Sequence, residues 1–119
     1  MEFFYLYKMI KEIAFADQDK EIIVSLTIRG YGIDHIKTYL SEFVEALQYI
    51  FNDNVKPVGD LKKSKLPNKD TEIVATVSIT NQRSIENTKN ELVAMYDGLT
   101  MWSITKDLVI DTDINFEVK

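Results

Sequence analysis

Three stretches of this chain alternate apolar and polar residues with a period of two. No other feature limits its fold as tightly. In EIIVSLTIR, Ile22, Val24, Leu26 and Ile28 share one side, and Ser25, Thr27 and Arg29 take the other. In TEIVATVSIT, Ile73, Ala75, Val77 and Ile79 oppose Glu72, Thr76 and Ser78. In LVIDTDINFEV, Ile110, Ile114, Phe116 and Val118 oppose Asp111, Asp113, Asn115 and Glu117. Each stretch reads as a strand with one dry face and one wet face, which is the signature of a sheet covered on a single side.

The cover is expected from two segments with helical spacing. Residues 34–52 place Ile36, Leu40, Phe43, Leu47 and Ile50 on one stripe, with Asp34 as the expected N-cap and Ile33 as its staple residue. Residues 84–97 begin at Ser84, a good cap, and align Ile85, Leu92, Met95, Tyr96 and Leu99. Gly98 either ends this helix or lies inside a stripe that continues to Trp102. Between the two helical segments, VKPVGDLK (residues 55–62) reads as a short strand that Pro57 confines to an edge or a first position.

Residues 21–118 then read β-α-β-β-α-β, the order of a ferredoxin-like split βαβ unit. The expected fold is a two-layer α+β sandwich in a single domain, residues 1–119, with an N-terminal extension. That extension, residues 1–16, fits two templates. As a helix it aligns Phe3, Leu6, Tyr7, Ile10, Ile13 and Ala14; as a strand it alternates Tyr5, Tyr7, Met9, Ile13 and Phe15. A strand pairing with residues 21–29 would conflict with a ferredoxin-like sheet, where the first strand already has two neighbours.

Composition bears on chemistry. With 45% hydrophobic and 28% charged residues, the chain can bury a core without staples. The lack of cysteine removes disulfides, thiolate zinc sites and cysteine nucleophiles. No apolar run approaches the roughly 20 residues that span a bilayer. MEFFYLYKMIKEIAF has an early Glu2, no basic n-region and no small-residue cleavage site, so no signal peptide is expected and the expected setting is cytoplasmic. The net charge of −5 gives little generic attraction to nucleic acid. Lysine far outnumbers arginine, and Ile and Asn are frequent, a usage that fits an AT-rich genome such as a low-GC bacterium or its phage.

Charge is uneven along the chain. Residues 51–70 hold five lysines (Lys56, Lys62, Lys63, Lys65, Lys69) against three aspartates, with Pro57, Gly59 and Pro67 among them. This basic island reads as a loop or short hairpin. Lys62, Lys63 and Lys65 form a candidate contact for an anion or acidic partner, competing with a plain solvated loop. The acidic row Asp111, Asp113 and Glu117 has three readings. Alternate strand residues stand about 6–7 Å apart, too divergent for one cation without ligands from a neighbouring strand. The same spacing resembles successive phosphates, the basis for a nucleic-acid mimic. A solvated face that discourages edge-to-edge pairing is the simplest reading.

His35, the only histidine, sits beside Asp34 in a first helical turn and reads as a surface residue. Neither GxSxG nor a P-loop pattern is present, no metal or cofactor is expected, and the expectation is against catalysis. The aromatics Phe3, Phe4, Tyr5 and Tyr7 exceed what one face can bury and are candidate contacts for another protein or a second copy. RGYGID (residues 29–34) resembles the strand–loop–helix junction of ACT-type small-molecule sensing domains, which implies ligand binding at Gly30 and Gly32; a turn needing two permissive backbones explains the glycines equally. A ribonucleoprotein-type surface would need aromatics on the open sheet face, so nucleic acid is not an expected partner. The leading expectation is a small non-enzymatic adaptor, regulator or inhibitor working through protein contacts. The alternatives are an ACT-like sensor and an acidic nucleic-acid mimic.

Overall fold

The computed structural model describes residues 20–80 and 84–119; the aromatic N-terminal segment, with Phe3, Phe4, Tyr5 and Tyr7, lies outside them. Strand β1 (Glu21–Gly30) leads through a two-residue junction into helix α1 (Ile33–Phe51). A single 3-10 turn follows, then β2 (Val55–Pro57), β3 (Lys62–Lys65), β4 (Thr71–Thr80), α2 (Ile85–Thr105) and β5 (Ile110–Val118). All pairings are antiparallel, in the order β2-β4-β1-β5, with β3 also on β4. This is the ferredoxin-like βαββαβ order, with its second strand split into β2 and β3.

The alternation expected from sequence sets the layers. Ile22, Val24, Leu26 and Ile28 of β1 are fully buried, and Ile73, Val77 and Ile79 of β4 lie beside them. The register places Val24 between Val77 and Phe116, so the inward rows of three strands coincide. Ile36, Tyr39, Phe43 and Leu47 of α1, with Leu92, Met95 and Leu99 of α2, close this face from above. Ile110, Ile114 and Phe116 of β5 pack against the same core and are half-buried, as expected for an edge strand. Fully burying one such side chain contributes about 1.5–3 kcal/mol, so the shared row is the main source of stability.

The helix ends differ from each other. Ser84 caps α2, its Oγ accepting from the Asn87 backbone N–H at 3.1 Å, as its sequence position suggests. α1 departs from expectation: Gly32, not Asp34, is the N-cap residue, and no side chain caps the helix. Asp34 lies inside the first turn, where its carboxylate still complements the helix dipole. The reason is the tightness of the junction. A Cβ on Gly30 would stand 2.9 Å from the Val109 carbonyl oxygen, so the chain leaves β1 pressed against the start of β5. α2 does not end at Gly98 but continues to Thr105, which keeps Leu99, Trp102 and Ser103 on the core side. Lys106 is its C-cap, and Asp107 beyond it turns the chain away with a φ of 55°.

The split edge has a simple geometry. Pro57 pairs with Val77 and Lys62 with Val74, so residues 58–61 face only two residues of β4. The Val58 N–H holds the near side of this bulge by donating to the Thr76 carbonyl at 2.9 Å, and Gly59 absorbs the turn at φ 68°. Because the excess is even, face alternation survives it. Among the described residues, no helix is long and apolar enough to cross a membrane.

Candidate functional site

β5 lies at the opposite edge of the sheet. It pairs with β1 on one side and with no strand on the other among the described residues. Its outward row, Asp111, Asp113, Asn115 and Glu117, is exposed and stands opposite Arg29, Thr27, Ser25 and Ile23 of β1. Arg29 is the organising cation of this open face. Its Nε donates to Glu72 at 2.8 Å and its Nη1 to Asp111 at 3.3 Å, linking β4, β1 and β5. The bond to Glu72, followed by the charges of Glu72, Asp111 and Asp113, raises the Arg29 pKa against the opposing effect of desolvation, and the guanidinium stays charged. Ser25 and Thr76 share a hydrogen bond at 3.3 Å on the same face, and Ser78 donates to Glu21. One arginine therefore bonds directly to Asp111 alone, while Asp113 and Glu117 make no side-chain hydrogen bond or close ion pair among the described residues. No three His, Cys, Asp or Glu side chains among the described residues gather closely enough to hold a metal ion.

The lysine cluster is divided between the two faces of β3. Lys62 pairs with Val74, on the open face; Lys63 pairs with Ile73 and Lys65 with Thr71, on the helix side. The Lys65 ammonium is also drawn into the β3–β4 hairpin tip, donating to the Lys69 carbonyl at 3.2 Å and Thr71 Oγ1 at 3.3 Å. The glycines of RGYGID serve different ends. Gly30 is buried and needed for close approach to β5, whereas Gly32 has open space around it and Tyr31 between them is 79% exposed. His35 has a structural task that sequence reading missed. Its Nδ1 accepts the Val109 backbone N–H at 2.9 Å, tying the first turn of α1 to the loop that leads into β5.

A second surface was not anticipated at all. On the outer side of the helix layer, Glu42, Glu45, Ala46 and Tyr49 of α1 face Leu99 and Trp102 of α2 across a depression of about 470 Å³. A neighbouring depression of about 440 Å³ shares Glu42, Glu45 and Trp102 and extends toward Lys37. The available signal was Tyr49, which falls off the stripe of Ile36, Leu40, Phe43, Leu47 and Ile50 and is 88% exposed.

Three solved structures share this arrangement. The de novo designed protein Foldit4 has a TM-score of 0.57 at 12% identity, over 83% of this chain and 98% of that one. The C-terminal domain of the MgtC protein from Mycobacterium tuberculosis gives 0.51 at 7% identity, over 87% and 90%. A hydantoinase/carbamoylase family amidase from Burkholderia ambifaria gives 0.52 at 8% identity, over 82% of this chain but only 28% of that enzyme. At such identities the likeness is one of fold. No protein-family model matches the chain, and no curated protein matches it in sequence.

Proposed function

We propose that this domain is a small, non-catalytic adaptor, regulator or inhibitor, working in the cytoplasm, that engages a basic partner protein through the open edge of β5. The observation that carries the reading is the strand itself. It spans nine residues, its outer edge faces no strand among the described residues, and it displays Asp111, Asp113 and Glu117 on one side. An extended partner segment adding to this edge would satisfy the unpaired backbone groups, and alternate lysines or arginines on it would meet the carboxylates. The opposite edge is a poor competitor, since β2 and β3 are three and four residues long and separated by the bulge.

The test is a titration of isotope-labelled protein with a short valine–lysine peptide. Amide shifts concentrated in residues 110–118, and weakened roughly tenfold by the triple variant Asp111→Asn, Asp113→Asn, Glu117→Gln, would support the proposal. Shifts confined to the helices, or none up to millimolar peptide, would remove it.

A further inference from the structure

We infer that the depression between α1 and α2 is a second docking surface, which takes a lysine- or arginine-bearing apolar segment of a partner protein. Its walls are aromatic and aliphatic, from Tyr49, Trp102, Ala46 and Leu99, and its α1 rim carries Glu42 and Glu45. The two carboxylates sit one turn apart on the same helix, an arrangement in which like charges oppose helix formation. Neither has a hydrogen-bond or ion-pair partner among the described residues. The depression therefore sets two unpaired carboxylates beside a half-buried Trp102 and an outstanding Tyr49.

These groups are complementary to one kind of occupant. A cationic side chain laid into the depression meets Glu42 and Glu45 on the α1 wall and the Trp102 ring on the α2 wall, so ion pairing and cation–π attraction act on the same charge. Apolar neighbours of that cation cover Ala46, Leu99 and the Trp102 ring. Lys37, at the far end, limits the favourable length of a basic run and orients the segment with its cation toward Glu42 and Glu45. This surface is on the face of the molecule opposite the open sheet, and the inference stands independently of the strand-edge proposal.

Trp102 is the only tryptophan in the chain, so its fluorescence reports this site directly. Titration of the full chain with a short leucine–lysine peptide is expected to give a saturable blue shift of Trp102 emission that weakens with salt. The double variant Glu42→Gln, Glu45→Gln, on the helix surface and checked for unchanged circular dichroism, is expected to lower the affinity roughly tenfold. The β5 triple variant should leave it unchanged. A leucine–glutamate peptide that binds equally well would show unspecific apolar contact and overturn the inference. Spermidine binding as tightly as the peptide would overturn it too, by making the depression a site for free organic cations. So would the absence of any saturable shift with the leucine–lysine peptide.

Discussion

Tyr39 is fully buried, yet its hydroxyl has no hydrogen-bond partner among the described residues. Tyr96, by contrast, donates to the Thr112 carbonyl at 3.0 Å and shares a bond with Thr112 Oγ1 at 2.8 Å. Burial, with the neighbouring Tyr96, pushes the Tyr39 pKa up; the Thr112 and Thr100 hydroxyls, outside hydrogen-bonding geometry for the neutral phenol but close enough to favour its ionised form, pull the other way. The folded state therefore prefers the neutral phenol. That preference is fully present below pH of about 10, where an unfolded tyrosine titrates, and is lost as pH climbs through the higher folded value. Tyr39→Phe is expected to stabilise the fold by about 1–2 kcal/mol in urea unfolding and to delay alkaline unfolding; a clear loss of stability would mean the hydroxyl is satisfied. Gly30→Ala should act in the opposite sense. The added Cβ would meet backbone at Val109, which cannot swing aside, and a loss of about 1–3 kcal/mol is expected from the same measurement. The stripe of Ile36, Phe43 and Leu47 was legible because only apolar residues recur at that spacing. Tyr39 was not, since a phenol can equally lie at a wet boundary, and its depth is set by β5 and α2 rather than by its own helix.

Among the elements, β5 is governed by what its outward row repels as well as by what it attracts. If two copies paired β5 with β5 about Ile114, Asp113 would face Asn115 and Asp111 would face Glu117 across the new seam. Like charges directly opposite each other are destabilising, so the row guards the edge. The triple variant Asp111→Asn, Asp113→Asn, Glu117→Gln is expected to self-associate in sedimentation velocity at concentrations where the natural sequence does not; equal behaviour of the two would leave the row without this role. α2 offers an independent check. Gly98 lies inside the helix with nothing within 4 Å of an added Cβ, so Gly98→Ala should raise stability by about 0.5–1 kcal/mol in thermal unfolding. Strands β1, β4 and β5 were legible from alternation alone, and α2 from Ser84 and its stripe. The split of the edge strand was hidden because an even bulge leaves the alternation of faces intact. The α1 start was misplaced because Asp34 is an attractive cap by type, while the contact between Gly30 and Val109 that fixes the junction is distant in sequence.

At the scale of the molecule, two helices roof one side of a sheet whose other side is polar and whose β5 edge is open. Order and layering followed from the sequence because each strand has a single dry face, which leaves one side for the helices. The candidate surfaces were only partly legible. The acidic row was visible as a row, but that it lies on an edge is a property of strand order. The depression at Trp102 needs two helices brought together, which no single stretch announces. The most direct measurement is amide hydrogen exchange on the isolated protein. The expected result is alternation along residues 110–118, every second amide exchanging quickly, beside uniformly slow exchange in β1 and β4. Uniformly slow exchange through β5 would mean that its edge is covered in the free protein, and the account of this strand as an open contact edge would be wrong.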